Sequence, residues 1–155
     1  MTGSADRTRE MRRFLVIAAA GIALLVATSA SATIRPQRGM SGVSLGMTKA
    51  QVQAKLGRPI GTGGGRYFYA RVSVGFRLGR VVEVTTTRST ERTGSGVGVD
   101  SSEAQVRRAY PSVTCGPSGG FRRCRLGSGN PGTRATDFLL GRGKVLQVSV
   151  LLLPG

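Results

Sequence analysis

The sequence predicts an α+β fold of two tandem repeats. Each repeat is a short helix followed by a three-stranded antiparallel sheet, with the helices packed on one face of the sheet. Three observations predict it. Residues 42–56 (GVSLGMTKAQVQAKL) align without gaps on residues 96–110 (GVGVDSSEAQVRRAY) at an offset of 54. Residues 79–85 (GRVVEVT) align on residues 143–149 (GKVLQVS) at an offset of 64. Between the two matches the apolar spacing changes from helical to alternating. Two matches in the same order indicate a duplicated unit. The difference in offset places an insertion in the second copy, in the region that holds both cysteines.

In chain order, residues 1–32 come first and read as a cleavable signal peptide rather than as part of the fold. Arg12 and Arg13 precede 13 apolar residues, 14–26, and a small-residue run (ATSASA) that ends at Ala32. That order is what translocation and signal peptidase require. The apolar run is shorter than the roughly 20 residues of a spanning helix; a retained anchor is the competing reading. A twin-arginine signal fits poorly, because the arginines abut the apolar run. Position 33 is Thr, so no lipid-bearing Cys stands at the expected cleavage point. The expected mature chain starts at Thr33, is secreted or extracytoplasmic in the cell envelope, and meets a membrane only during export.

The first repeat spans 33–92. Thr48 with Gln51 has the spacing of a capping box, and Met47 with Val52 that of a hydrophobic staple. Val52 and Leu56 share one helix face, and Gly57 with Pro59 stops the helix. Tyr67-Phe68-Tyr69 gives a first strand. Val72, Val74, Phe76 and Leu78 then alternate with polar residues as a half-buried strand. A type II′ turn at Gly79-Arg80 leads into a third strand with Val82 and Val84 inward. Residues 61–65 (GTGGG) and 127–132 (GSGNPG) read as mobile loops. No helix start or Lys-Ser/Thr follows the first of these, so it is not a phosphate loop.

The second repeat spans 93–155. Ser102 with Gln105 repeats the capping box, Val106 and Tyr110 share a face, and Pro111 stops the helix. Strands are expected over 122–126, 135–140 and 144–153. Cys115 and Cys124 are nine positions apart, and in an oxidising compartment they form a structural disulfide. A redox pair or a metal site fits less well: the spacing is not C-x-x-C, and the sequence has no His.

Charge bounds the partners. Four of the 23 basic residues and two of the seven acids fall in 1–32, leaving 19 and five, a net of +14. Such a charge suits an anionic partner. The basic residues are scattered singly, unlike a nucleic-acid stripe, and arginine far outnumbers lysine, as in GC-rich genomes. Nucleic acid is therefore excluded as the expected partner.

Gly46-Met47-Thr48-Lys49-Ala50-Gln51-Val52, then Leu56-Gly57-Arg58-Pro59, a Tyr-rich strand and Phe76-Arg77-Leu78-Gly79-Arg80-Val81 resemble the SmpA/OmlA (BamE-like) domain. The tandem arrangement is similar to the β-lactamase inhibitor protein family. The first copy carries the resemblance over about 45 residues; the second lacks the Gly-Met pair. The resemblance implies a non-enzymatic extracytoplasmic binding or scaffold module. In the BamE-like family that module assists outer-membrane protein assembly through a lipidated Cys, absent here. In the inhibitor family a concave sheet grips an enzyme, and the disulfide loop of the second copy resembles that family.

The residues left for catalysis are few. Without His there is no Ser-His-Asp triad. The acids Glu83, Glu91, Asp100, Glu103 and Asp137 show no metal-ligand or paired-carboxylate spacing. Asp100 and Glu103 complement a helix dipole, and Asp137 is expected to pair with an Arg. No catalytic residue, metal or cofactor is expected. An antiparallel sheet covered on one side leaves the other free. That free face, with Arg71, Ser73, Arg77, Glu83 and Thr85 outward together with Tyr67 or Tyr69, is the expected contact surface for an extracytoplasmic protein, acidic proteins included. The alternative is a basic cell-envelope scaffold that binds anionic wall polymer or lipid through diffuse charge.

Overall fold

The computed structural model describes residues 32–155. Apart from Ala32, the expected signal segment lies outside the described residues. Three two-residue strands come first: β1 (Ile34–Arg35), β2 (Gly39–Met40) and β3 (Val43–Ser44), which pair as a small sheet. The chain continues through α1 (Lys49–Leu56), β4 (Gly61–Gly63), β5 (Arg66–Phe68), β6 (Ser73–Arg77) and β7 (Arg80–Thr86). After a linker come α2 (Glu103–Ala109), β8 (Thr114–Ser118), β9 (Phe121–Gly127), β10 (Arg134–Gly141) and β11 (Lys144–Leu152). Strands β4 to β11 form one antiparallel sheet in the order β4-β5-β6-β7-β11-β10-β9-β8.

This overturns the expected α+β architecture. Among the described residues 47% are strand and 12% helix, and a single eight-stranded sheet replaces two helix-plus-three-strand repeats with helices on one face. The physical reason is the size of the helices. Each has about two turns and one fully buried side chain, Val52 or Val106. So little apolar surface cannot cover a sheet. Ile34, Met40 and Val43 from the first three strands complete the core, with Val97, Val99 and Val113 from the connections. The outer strands also escaped the sequence pattern. Gly61-Thr62-Gly63 resembles a loop, and β8 contains Pro117. Both strands lie at the sheet's two edges, where one rim needs no ladder partner and Gly or Pro is tolerated.

The segments that match in sequence make matching local hydrogen bonds. In α1 the Thr48 N–H donates to Gln51 Oε1 at 2.8 Å, and the Gln51 N–H to Thr48 Oγ1 at 3.2 Å. Ser102 and Gln105 form the same box at the same two distances. Ahead of α1, Gly46 N–H donates to the Val81 carbonyl, and Val81 N–H to that of Met47, both at 2.8 Å. Ahead of α2, Asp100 donates to Val145 and Val145 to Ser101, again at 2.8 Å.

Two details correct the expected strand pattern. Arg77 pairs with Arg80 and Gly141 with Lys144, so the hairpin loops are Leu78-Gly79 and Arg142-Gly143. Both residues of each loop have positive φ, 50° and 73° in the first and 51° and 76° in the second. These are type I′ turns, not a type II′ turn at Gly79-Arg80. Leu78, expected inward, is 97% exposed at the tip. Register shifts then open a bulge in each hairpin, leaving Val82 and Leu146 as the extra residues. The bulge puts Val81 and Val84 in the core and turns Val82, also expected inward, to the side of Glu83.

The core is built from Val74, Val84, Val148, Val150, Phe138 and Leu140 of the sheet against Val52 and Val106. Cys115 and Cys124 lie opposite each other in the β8–β9 pair and are joined as a disulfide, with their Cα atoms 3.9 Å apart.

Candidate functional site: the open face of the sheet

Side chains that alternate with the core residues line the opposite face. One row crosses six strands, each member directly opposite the next: Ser73, Thr85, Ser149, Asp137, Arg125 and Thr114. Polar groups in the middle of a sheet must be hydrogen-bonded, and the first five of these are. Gln147 Nε2 donates to Ser149 Oγ at 3.1 Å, and the hydroxyls of Ser149 and Thr85 share a 2.9 Å bond. Thr85 donates to Glu83 Oε1 at 2.9 Å. Arg66 pairs with Glu83 and donates to Ser73 Oγ at 3.2 Å. Beyond the junction the Arg125 fork meets both oxygens of Asp137, at 2.7 and 2.6 Å. That bonding holds Arg125 protonated above its already high ordinary pKa.

Across this network runs a hollow of about 440 Å³, lined by Arg77, Val82, Arg123, Leu139, Gln147 and Leu151. Arg77 and Arg123 are exposed, and neither has a carboxylate within 4.0 Å among the described residues. Three half-buried aliphatic side chains beside two free guanidiniums can hold a protein surface with acidic groups. The Thr85 and Ser149 hydroxyls have no imidazole to activate them, since the sequence contains none.

Ser73, Arg77, Glu83 and Thr85 stand on this face. Tyr67, Tyr69 and Arg71 do not. Tyr67 pairs with core-facing Val74, and its ring lies 4.8 Å from that of Phe76, with the Lys49 ammonium 5.6 Å from its centroid. Tyr69 packs against the core. Arg71, in the β5–β6 connection, donates to buried Glu91 at 2.6 Å. The strand's alternation is out of step with the expectation by one residue, so Phe68 rather than a tyrosine sits opposite Ser73. Sequence reasoning missed Arg123, Leu139, Gln147, Ser149 and Leu151. The offset of 64, which equates Glu83 with Gln147 and Thr85 with Ser149, was the signal that could have found two of them.

Glu103, Cys115 and Cys124 offer ligand atoms within 4.8 Å of one another. They are already committed: both sulfurs are in the disulfide, and Glu103 is held by Arg107 and Arg122 at 2.8 and 2.5 Å.

The fold is similar to that of a DUF4309 family protein (YjgB) from Bacillus subtilis subsp. subtilis str. 168. The TM-score is 0.53 and the identity 14%, over 81% of this chain and 90% of that one. A likeness at that identity concerns the fold alone. An extracellular protein containing a SCP domain from Bacillus anthracis str. Ames aligns with a TM-score of 0.49 and 10% identity. That alignment covers 69% of this chain, and the chain spans only 43% of that protein's length. Neither is a SmpA/OmlA-domain or β-lactamase inhibitor protein. No protein-family model matches the chain, and no curated protein sequence does.

Proposed function

We propose that the protein is a secreted, non-enzymatic binding module whose open sheet face holds an extracytoplasmic protein partner. The observation that carries the reading is the hollow on that face, where Val82, Leu139 and Leu151 lie beside Arg77 and Arg123, neither ion-paired among the described residues. Interfaces are anchored by apolar side chains and arginine in this kind of mixture. The hydrogen-bonded row beneath gives the face a fixed shape, so binding costs little ordering. The Cys115–Cys124 disulfide supports an extracytoplasmic site of action, in line with signal-peptide cleavage near Ala32. The SmpA/OmlA-like residues around α1 support the same class of role, an inhibitor or an assembly factor, without singling out either.

A second reading has its own observation. Four of the five acids outside 1–32 (Glu83, Glu91, Glu103 and Asp137) are paired with arginines, so most of the cationic surface is uncompensated. A basic envelope scaffold on anionic wall polymer or lipid would use that charge. Affinity capture from culture medium and envelope extract, across a salt titration, separates the two. A protein partner retained at high salt and lost from Leu139→Glu supports the first reading. Retention of polymer or lipid alone, released steeply by salt, supports the second.

A further inference from the structure

A second cavity lies away from the open face. It has a volume of about 540 Å³, within the roughly 300–1,000 Å³ range of small-molecule sites. Its walls come from the segment around Thr33 and Arg35, from the end of α1 and the residues after it, and from the β5–β6 connection. Leu56, Ile60, Val72 and the Tyr69 ring give it an apolar lining. Ile60 is 77% exposed at its rim.

Two of its polar side chains, Arg35 and Arg58, have donors to spare, whereas Ser41 and Thr33 hydrogen-bond Glu91. The Tyr69 hydroxyl is buried and has no hydrogen-bond partner among the described residues. Burial, with a smaller contribution from Tyr67, raises its pKa, so it remains a neutral O–H donor. An orphaned buried hydroxyl is costly and is rare in folded proteins. Arg35 and Arg58 line the cavity, are exposed, and have no carboxylate within 4.0 Å among the described residues. Arg71 is tied to Glu91. Among the described residues no acidic side chain lines the cavity, and Glu91 lies behind its wall, bonded to Ser41 and Arg71.

We infer that this cavity binds a single-chain amphiphile with a carboxylate head, its chain on Leu56, Ile60 and the Tyr69 ring and its head on Arg35 and Arg58. A neutral apolar ligand would leave two cations unused. A small anion would leave the apolar wall wet. The site is separate from the open face, so the inference stands or fails independently of the proposed function.

The test is calorimetric titration of the full chain with dodecanoate, dodecanol and butyrate, each below its aggregation limit. Parallel titrations use Arg35→Gln and Arg58→Gln, with melting curves to show that each variant folds. Dodecanoate binds at one site, and dodecanol and butyrate bind at least about tenfold more weakly, as loss of a charge-assisted hydrogen bond or of chain burial requires. Each arginine variant weakens dodecanoate about tenfold. Dodecanol binding as tightly as dodecanoate would overturn the inference. So would dodecanoate binding that both folded variants leave unchanged, or no dodecanoate binding by the parent chain.

Discussion

Thr85 and Ser149 share a 2.9 Å hydrogen bond between directly opposed strands, β7 and β11, where the two halves of the sheet join. They are also the residues equated by the offset of 64, so equivalent positions of the two halves face each other across a local two-fold. Both are buried. Removing one hydroxyl strands its partner, whereas removing both removes the demand. Thr85→Val and Ser149→Ala should each cost about 1 kcal/mol, and the double variant should cost less than their sum by at least about 0.5 kcal/mol. Denaturant melts of the four proteins measure that coupling; additive costs would mean the hydroxyls act independently.

Val52 and Val106 are fully buried at corresponding positions of the two helices. An aspartate at either site must be buried unpaired or be neutralised by a raised pKa, so Val52→Asp and Val106→Asp should each destabilise severely. Gln53→Asp and Arg108→Asp, exposed and free of ion pairs among the described residues, should stay within about 0.5 kcal/mol of the parent. Arg107 is the wrong control for α2, because it pairs with Glu103 at 2.8 Å. Thermal melts that show tolerance at either valine would contradict the packing.

Glu91 is 0% exposed and ties the first described segment to the rest of the chain. Burial alone would raise its pKa. Hydrogen bonds from Ser41, Thr33 and Arg71, with the charge of Arg71, outweigh that and lower it. An acid whose pKa falls on folding adds stability that is fully present above its unfolded value of about 4.3 and is lost as pH falls through the native value. Glu103, lowered chiefly by its hydrogen bond from Arg122, adds to the same acid loss. Melts between neutral pH and pH 2 should therefore show a steep fall below about pH 4, and a shallower one in Glu91→Gln. Arg71→Ala should cost about 2 kcal/mol at neutral pH, less than for a fully buried pair because Arg71 is half in water. An unchanged acid slope in Glu91→Gln would remove the carboxylate from this role.

The capping boxes, both helices and the order of the longer strands were legible because each depends on side chains close in sequence, such as Thr48 with Gln51. The disulfide was legible from compartment and spacing. What failed depends on distant partners. Ile34, Met40 and Val43 sit among Pro36, Gly39 and Gly42 with no period to read; their two-residue strands pair with one another, and their burial depends on residues far along the chain. Gly39 shows the closeness required: a Cβ there would lie 1.9 Å from the Val43 carbonyl oxygen. The bulges at Val82 and Leu146 shift the alternation by one, which no run of apolar residues reveals. Glu91 carries no local signal of its burial, because its neighbours in space, Ser41 and Arg71, are 50 and 20 residues away.

The disulfide closes a short loop in an edge hairpin, where little else packs against β8. Replacing both cysteines by alanine should cost about 2–3 kcal/mol on the loop-entropy account, with the rest of the sheet intact by circular dichroism. A cost near zero would mean that strand pairing alone holds the hairpin.

The central claim, that the open face is the contact surface, is tested most directly by photo-crosslinking in the native host. A photoreactive phenylalanine analogue would be placed at Arg77 or Arg123 on that face, or at Gln53 on the exposed side of α1. The account predicts a discrete protein adduct of the same mass from positions 77 and 123 and none from 53. An adduct from 53 alone, or none from 77 and 123 in cells that make the protein, would contradict it.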